Sequence, residues 1–218
     1  PNQTCTTSSG TTTCTNDSAG AYNNTVTAGG IGGGFRVPFA GKKISLGLKG
    51  LYGDGVGRYG SSTIADITFR KDGTISPLHT WSALSTIELF PTNRWYIYLN
   101  YGGDYVGRDL QDGGTDGYGL YTANMSGCNT EPVPSTSSTD YSPSTPAGCS
   151  GNTKDVQEFT AGYWYNFYKG PKGTFRYGVQ YSWFDRNLWS GAGGPLNPDG
   201  GASGKDNEVL TSMRYYLP

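Results

Sequence analysis

Histidine occurs once in the 218-residue chain, at His79. An imidazole serves as general base for a hydroxyl or a water when an acid orients it. Here Glu88 or Asp72 would be the acid, and Ser61, Ser76 or Ser82 the hydroxyl. No G-x-S-x-G elbow accompanies them, so no catalytic residue is assigned and the chain reads as a non-enzyme. In "DLQDGGTDGYG" (109–119), Asp109, Asp112 and Asp116 offer hard oxygen ligands to Ca²⁺. Their spacing fits no EF-hand loop and the closing bidentate Glu is missing, so the stretch reads as a solvated loop and no metal is assigned. "GVGRYG" at 55–60 matches G-x-G-x-x-G, but the strand-like "SSTIADITF" follows where a dinucleotide site needs a helix N-terminus. No cofactor is expected.

The cysteines fall into two local pairs, Cys5/Cys14 and Cys128/Cys149, each in Ser/Thr/Gly/Pro-rich sequence without a nearby histidine. That context argues against zinc and for loop-closing disulfides in an oxidising compartment. Four cysteines allow three connectivities, of which nearest-neighbour pairing is the expectation adopted.

The elements that must carry these residues are strands. Helical periodicity is absent, and alternation recurs in runs of about 9–11 residues, the length that crosses a bilayer as a tilted β-strand. In "EFTAGYWYNFYKG", Phe159, Ala161, Tyr163, Tyr165 and Phe167 oppose Glu158, Thr160, Gly162, Trp164 and Asn166. "TFRYGVQYSWF" sets Phe175, Tyr177, Val179, Tyr181 and Trp183 against Arg176, Gly178, Gln180 and Ser182. "RWYIYLNYGGDYVG", "WSALSTIELF", "KISLGLKGLY", the glycine-rich "GGIGGGFRVPF" and the closing "NEVLTSMRYYLP" repeat the theme. The turns "AGKK", "PTNR" and "GPKG" are tight, whereas the connections near 55–79, 108–156 and 187–206 are long. Short turns on one side and long loops on the other is the transmembrane-barrel pattern. Both cysteine pairs fall on the long-loop side.

The fold class expected is all-β, an antiparallel transmembrane β-barrel with seven strands in this chain, or eight if the N-terminal segment is counted. An odd count does not close a bacterial barrel, so a larger barrel completed by strands from elsewhere in the protein, by another chain or by a homo-oligomer is expected. Residues 1–27 form a Cys-containing exterior loop or N-terminal segment, and 28–218 hold the strands. "STIADITF…GTISPL" within 62–78 reads as a loop hairpin or a further strand pair. The chain opens on Pro1 without a signal-peptide pattern, which reads as a removed signal or a cleaved terminus.

Composition agrees with that class. Aromatics reach 14% while charged residues reach only 15%, and Gly accounts for 35 residues. A net charge of −1 leaves no electrostatic footprint for nucleic acid. No run approaches the ~20 apolar residues of a membrane helix. One stripe carries Arg36, Lys49, Glu88, Asp104, Glu158, Arg176 and Arg214, which in a barrel would line a wet lumen. In a soluble sandwich the same residues would coat the outside and the aromatic stripe would be core. Trp81, Trp95, Trp183 and Tyr215 lie near strand ends on the other stripe, as headgroup-level girdle residues do. Trp164 falls on the charged stripe as the exception.

Several stretches carry a family likeness. The ending "MRYYLP" resembles the aromatic-rich closing strand of outer-membrane barrels, with Pro218 where an aromatic residue is usual. "GVGRYGSS", "DITFRKDGTISP", "ELFPTNRWYIYLNYGGDYVGR", "WYNFYKGPKG" and "WSGAGG" resemble the C-terminal half of acidobacterial outer-membrane porin-like proteins. The resemblance runs from about residue 28 to the end. It implies a barrel in a Gram-negative outer membrane, long loops facing the exterior, and transfers no ligand or catalytic residue. The function expected is passive passage of small polar solutes, with the lipid bilayer as partner and nucleic acid excluded. The alternative is a non-transport surface barrel acting as adhesin, receptor or structural partner through disulfide-braced loops.

Overall fold

The alternating stretches form long antiparallel strands in a computed structural model of the chain. It describes residues 2–8, 11–17, 25–128, 149–193 and 201–218, the first two segments as backbone only. The first strands, β1 (Asn2–Ser8) and β2 (Thr11–Asp17), make a separate hairpin that registers Cys5 opposite Cys14. Their side chains, and so the expected bridge between them, lie outside the described residues. There follow β3 (Gly29–Phe39), β4 (Ile44–Asp54), the short β5 (Ile67–Phe69) and β6 (Ile75–Pro77), β7 (His79–Thr92) and β8 (Trp95–Val106). The small β9 (Asp109–Gln111) and β10 (Asp116–Tyr118) precede β11 (Thr153–Gly170), β12 (Gly173–Leu188) and β13 (Ser203–Tyr216).

Seven of these strands, β3, β4, β7, β8, β11, β12 and β13, pair with their neighbours in chain order as one antiparallel sheet. Its edges, β3 and β13, do not meet, so the sheet is open. No α-helix occurs among the described residues. The segment at 62–78 forms the hairpin β5–β6, which stands apart from the main sheet. "DLQDGGTDGYG" likewise folds as the hairpin β9–β10 around a 3₁₀ turn.

Sequence accounts for the ends of these strands. The β3–β4 connection turns through Ala40, Gly41 and Lys42, all at positive φ, where Gly41 alone escapes the steric penalty of a side chain. Asn93-Arg94 and Pro171-Lys172 give two-residue connections on the same side. On the opposite side the ladder outlasts the hydrophobic pattern. Strand β12 runs on to Leu188 and β13 begins at Ser203, pairing Asp185 with Lys205 and Asn187 with Ser203. Backbone hydrogen bonds continue there after apolar alternation has stopped, so the connection expected at 187–206 spans only 189–202. Likewise β11 starts at Thr153, inside the expected 108–156 loop.

The hydrophobic core sits at the loop end and not along the sheet. Ile64, Leu78, Val106 and Tyr118 pack together, with Ala65, Val156 and Trp189 against them. Arg108 ties this cluster to its surroundings. Its guanidinium lies 4.1 Å from the Tyr121 ring and 4.5 Å from the Trp189 ring, and it donates to Ser190 and to the Gly119 carbonyl. The Cys128–Cys149 disulfide closes the adjoining loop, beside Met125, which is buried.

Candidate functional site

Register fixes which side chains share a face of the sheet. Across the ladder Ser45 opposes Glu88, Glu88 opposes Tyr98, Tyr98 opposes Gly162 and Gly162 opposes Gln180. This polar face carries all of Arg36, Lys49, Glu88, Asp104, Glu158, Arg176 and Arg214, as the alternation predicts. The other face carries Phe35, Leu46, Leu48, Ile87, Leu99, Tyr101, Val209 and Met213, all exposed. At the centre of the sheet burial is inverted relative to a soluble sheet, while Arg36, Lys49 and Arg214 on the same polar face are exposed. Glu88 and Asp104 are 7% and 4% exposed, whereas Trp81 and Tyr215 on the apolar face are 44% and 55% exposed.

Buried polar groups need partners, and this face supplies most of them in two networks, with Thr80 Oγ1 and Arg176 Nε left without a hydrogen bond. Glu88 pairs with Arg36 and accepts the Tyr96 hydroxyl at 2.6 Å, while Arg36 Nε donates to Ser45 at 3.0 Å. Tyr98 donates to Gln180 Oε1 at 2.7 Å, and Gln180 Nε2 donates to Ser182 at 2.9 Å. Thr160 donates to Glu158 at 2.7 Å and lies 3.3 Å from the Ser182 hydroxyl. Tyr98 reaches Gln180 because Gly162 stands between them. A Cβ there would lie 2.5 Å from the Tyr98 ring. The same device recurs one strand further on, where Trp164 lies over Gly178 and a Cβ would come within 2.7 Å of the indole.

That arrangement accounts for Trp164 on the charged stripe. Its ring is overlain by Arg176 at 4.3 Å and Arg214 at 4.5 Å, cation–π geometry in both cases. Arg176 and Arg214 are direct cross-strand partners.

Asp104 anchors a loop onto the face. It accepts the Ser62 backbone N–H at 2.6 Å, and Gly60 lies so close that a Cβ would sit 2.5 Å from Asp104 Oδ1. Residues 59–62 thus lie against the polar face, and between loop and sheet is a cavity of about 640 Å³. Lys49, Ser61, Ser62, Asn100, Asp104, Glu158, Thr160 and Gln180 line it. A second cavity of about 590 Å³ opens at the short-turn end, lined by Lys42, Lys43, Asn93, Tyr96, Asn166, Lys169 and Arg176. Charge is segregated along the strands. The turn end gathers Arg36, Lys42, Lys43, Arg94, Lys169, Lys172, Arg176 and Arg214 against Glu88. Among the described residues toward the loop end, Asp54, Asp66, Asp72, Asp104, Asp109, Asp112, Asp116, Asp155, Asp185 and Asp206 outnumber Arg58, Arg70, Lys71, Arg108, Lys154, Arg186 and Lys205.

The candidate girdle residues all fall on the apolar face. Trp81 stacks on Tyr105 at 5.6 Å near the long loops, where Trp183 also lies. Trp95 sits 4.8 Å from Tyr165 and 5.4 Å from Tyr163 near the short turns, close to the level of Tyr215.

The histidine constellation assembles differently from its sequence expectation. His79 Nδ1 meets Asp54 Oδ1 at 2.8 Å and its ring packs edge-on to Tyr52 at 4.6 Å. The acid beside it is Asp54, its register partner, and neither Glu88 nor Asp72. Ser82 lies on the opposite face, since it is three residues from His79 along one strand. The G-x-G-x-x-G stretch is a loop with a 3₁₀ turn at Gly57–Tyr59, followed by bends and β5. Ser62 was not singled out by sequence, and Tyr98 and Gly162, which alternation places on this face, were given no role there. The Tyr-opposite-Gly pairing becomes readable only once register is known. No family model matches the chain, and no curated protein or solved structure matches it significantly.

Proposed function

We propose that the chain is part of an outer-membrane β-barrel of porin-like type that lets small polar solutes pass. The observation that carries this reading is the inverted burial of the sheet. Exposed aromatic and aliphatic side chains on strands of 11 to 18 residues suit a lipid-facing surface. At about 3.4 Å per residue and a tilt of about 45°, such strands reach from about 26 Å to about 43 Å along the membrane normal, enough for the ~25 Å apolar band of a membrane barrel. A soluble sandwich would bury that stripe, as the hydrophobic effect demands. Charged groups of both signs on the opposite face suit a wet lumen, and Trp81, Trp95, Trp183 and Tyr215 suit its two headgroup girdles. The open edges β3 and β13 fit a barrel closed by further strands, because unpaired backbone groups cost several kcal/mol each in lipid. The long loops would face the cell exterior of a Gram-negative bacterium.

One observation favours a second reading, a non-transport surface barrel working through its loops. Residues 59–62 already occupy part of the polar face above Asp104. Single-channel conductance of the detergent-folded chain in a planar bilayer separates the two. Stable ohmic steps support the pore. Silence despite confirmed insertion favours a plugged or incomplete barrel and moves attention to the loops and to the missing strands.

A further inference from the structure

Two arginines face each other directly across β12 and β13, an arrangement that repels unless something neutralises it. Ion pairs among the described residues engage Arg36, Arg58 and His79, and neither Arg176 nor Arg214. What holds the two guanidiniums together is the Trp164 ring, 4.3 and 4.5 Å from their central carbons. Arg176 also covers Tyr216 at 4.6 Å and donates to its hydroxyl. Among the described residues no hydrogen bond engages the Arg214 guanidinium and Arg176 spends one N–H on Tyr216, so both keep N–H groups with which a guanidinium binds an oxyanion. Arg176 Nε is buried and has no hydrogen-bond partner. The adjoining cavity adds Lys42, Lys43 and Lys169, and no carboxylate lines it.

We propose that Arg176 and Arg214, stacked over Trp164, form a binding site for a small soluble oxyanion of the phosphate class. Trp164 and Tyr216 position the guanidiniums, and the lysines of the turn-end cavity raise the local anion concentration. The site deepens the pore reading by naming its solute class, and it rests on that reading only for transport. A passing anion would meet the paired arginines as a shallow binding step in its path.

The test is calorimetric titration of the folded chain with inorganic phosphate, in a phosphate-free detergent with ionic strength held by chloride. Saturable binding is expected, weakened roughly tenfold by Arg214→Gln and lost in the Arg176→Gln/Arg214→Gln variant. Trp164→Phe retains both charges on a smaller ring and should weaken binding less than either arginine change. No saturable binding by the unaltered chain, or equal binding by the double variant, overturns the proposal. Should the double variant fail to fold, Arg214→Gln alone decides, because Arg214 is exposed on the edge strand. The bilayer recording separates the two ideas. Phosphate binding without conductance keeps the site and favours a plugged or incomplete barrel, and conductance without phosphate binding keeps the pore and overturns the site.

Discussion

Tyr98 on β8 donates its hydroxyl to Gln180 on β12, at 2.7 Å, by lying across Gly162 on the intervening β11. Three strands are thereby tied by one side chain. Gly162→Ala places a methyl 2.5 Å from the Tyr98 ring and drives the phenol off Gln180. A loss of about 1–3 kcal/mol is expected, combining overpacking with a broken hydrogen bond. Chemical denaturation of Gly162→Ala, Tyr98→Ala and the double variant checks it. The double variant should be less damaged than the sum of the singles, since only one contact is at stake.

Asp104 holds residues 59–62 against the polar face through one charge-assisted bond to Ser62 N–H. Arg58 and Tyr59 are already exposed and Arg58 is held by Asp66, so Asp104→Ala should loosen the loop and speed tryptic cleavage after Arg58, whereas Asp104→Asn keeps an acceptor and should be cut more slowly. Limited proteolysis reads the difference. In a conducting preparation, Asp104→Ala should also raise the single-channel current, because the loop no longer fills the mouth.

Burial pushes the Tyr118 phenol up to about 12, against a usual value of about 10. Its hydroxyl donates to the Thr153 carbonyl at 2.8 Å. A raised folded pKa means that the neutral phenol is the form the fold favours. The stability it contributes is complete below pH about 10 and is lost as pH rises through about 12. Unfolding measured against alkaline pH should show this loss, and Tyr118→Phe should remove it while costing about 1 kcal/mol at neutral pH.

Cys128 and Cys149 are joined, with a sequence separation of 21. In the chain-entropy model that bridge contributes about 3 kcal/mol, all of it to the loop end. Alkylation of unreduced protein should label none of Cys5, Cys14, Cys128 and Cys149. A peptide map should link Cys128 to Cys149 and Cys5 to Cys14. Cys128→Ser/Cys149→Ser should loosen the packing around Met125 and Trp189 and leave the seven-stranded ladder intact.

Much of the strand architecture was legible because side-chain alternation is a one-dimensional signal. Phe159 through Phe167 and Phe175 through Trp183 declare their faces without reference to any other strand. The polar-face residues follow from the same parity. Contacts that need two-dimensional register did not. Trp164 reads as an anomaly until Gly178 is seen opposite it and Arg214 beyond. His79 gives no hint of Asp54, which is 25 residues away in sequence and adjacent in the sheet. The position of residues 59–62 was hidden for another reason, since a loop's course is set by a few bonds such as Ser62 to Asp104 that leave no periodic trace.

The crowding of bases at the short turns gives the molecule a polarity that its net charge of −1 conceals. It is an electrical dipole laid along its strands. Charge acts across only ~8 Å at physiological salt, so each end is felt separately by whatever comes near it. Against an anionic surface the chain is drawn in turns first, and a polycation meets it from the opposite end. Orientation is thus written into the ends of the strands, before any loop makes a specific contact.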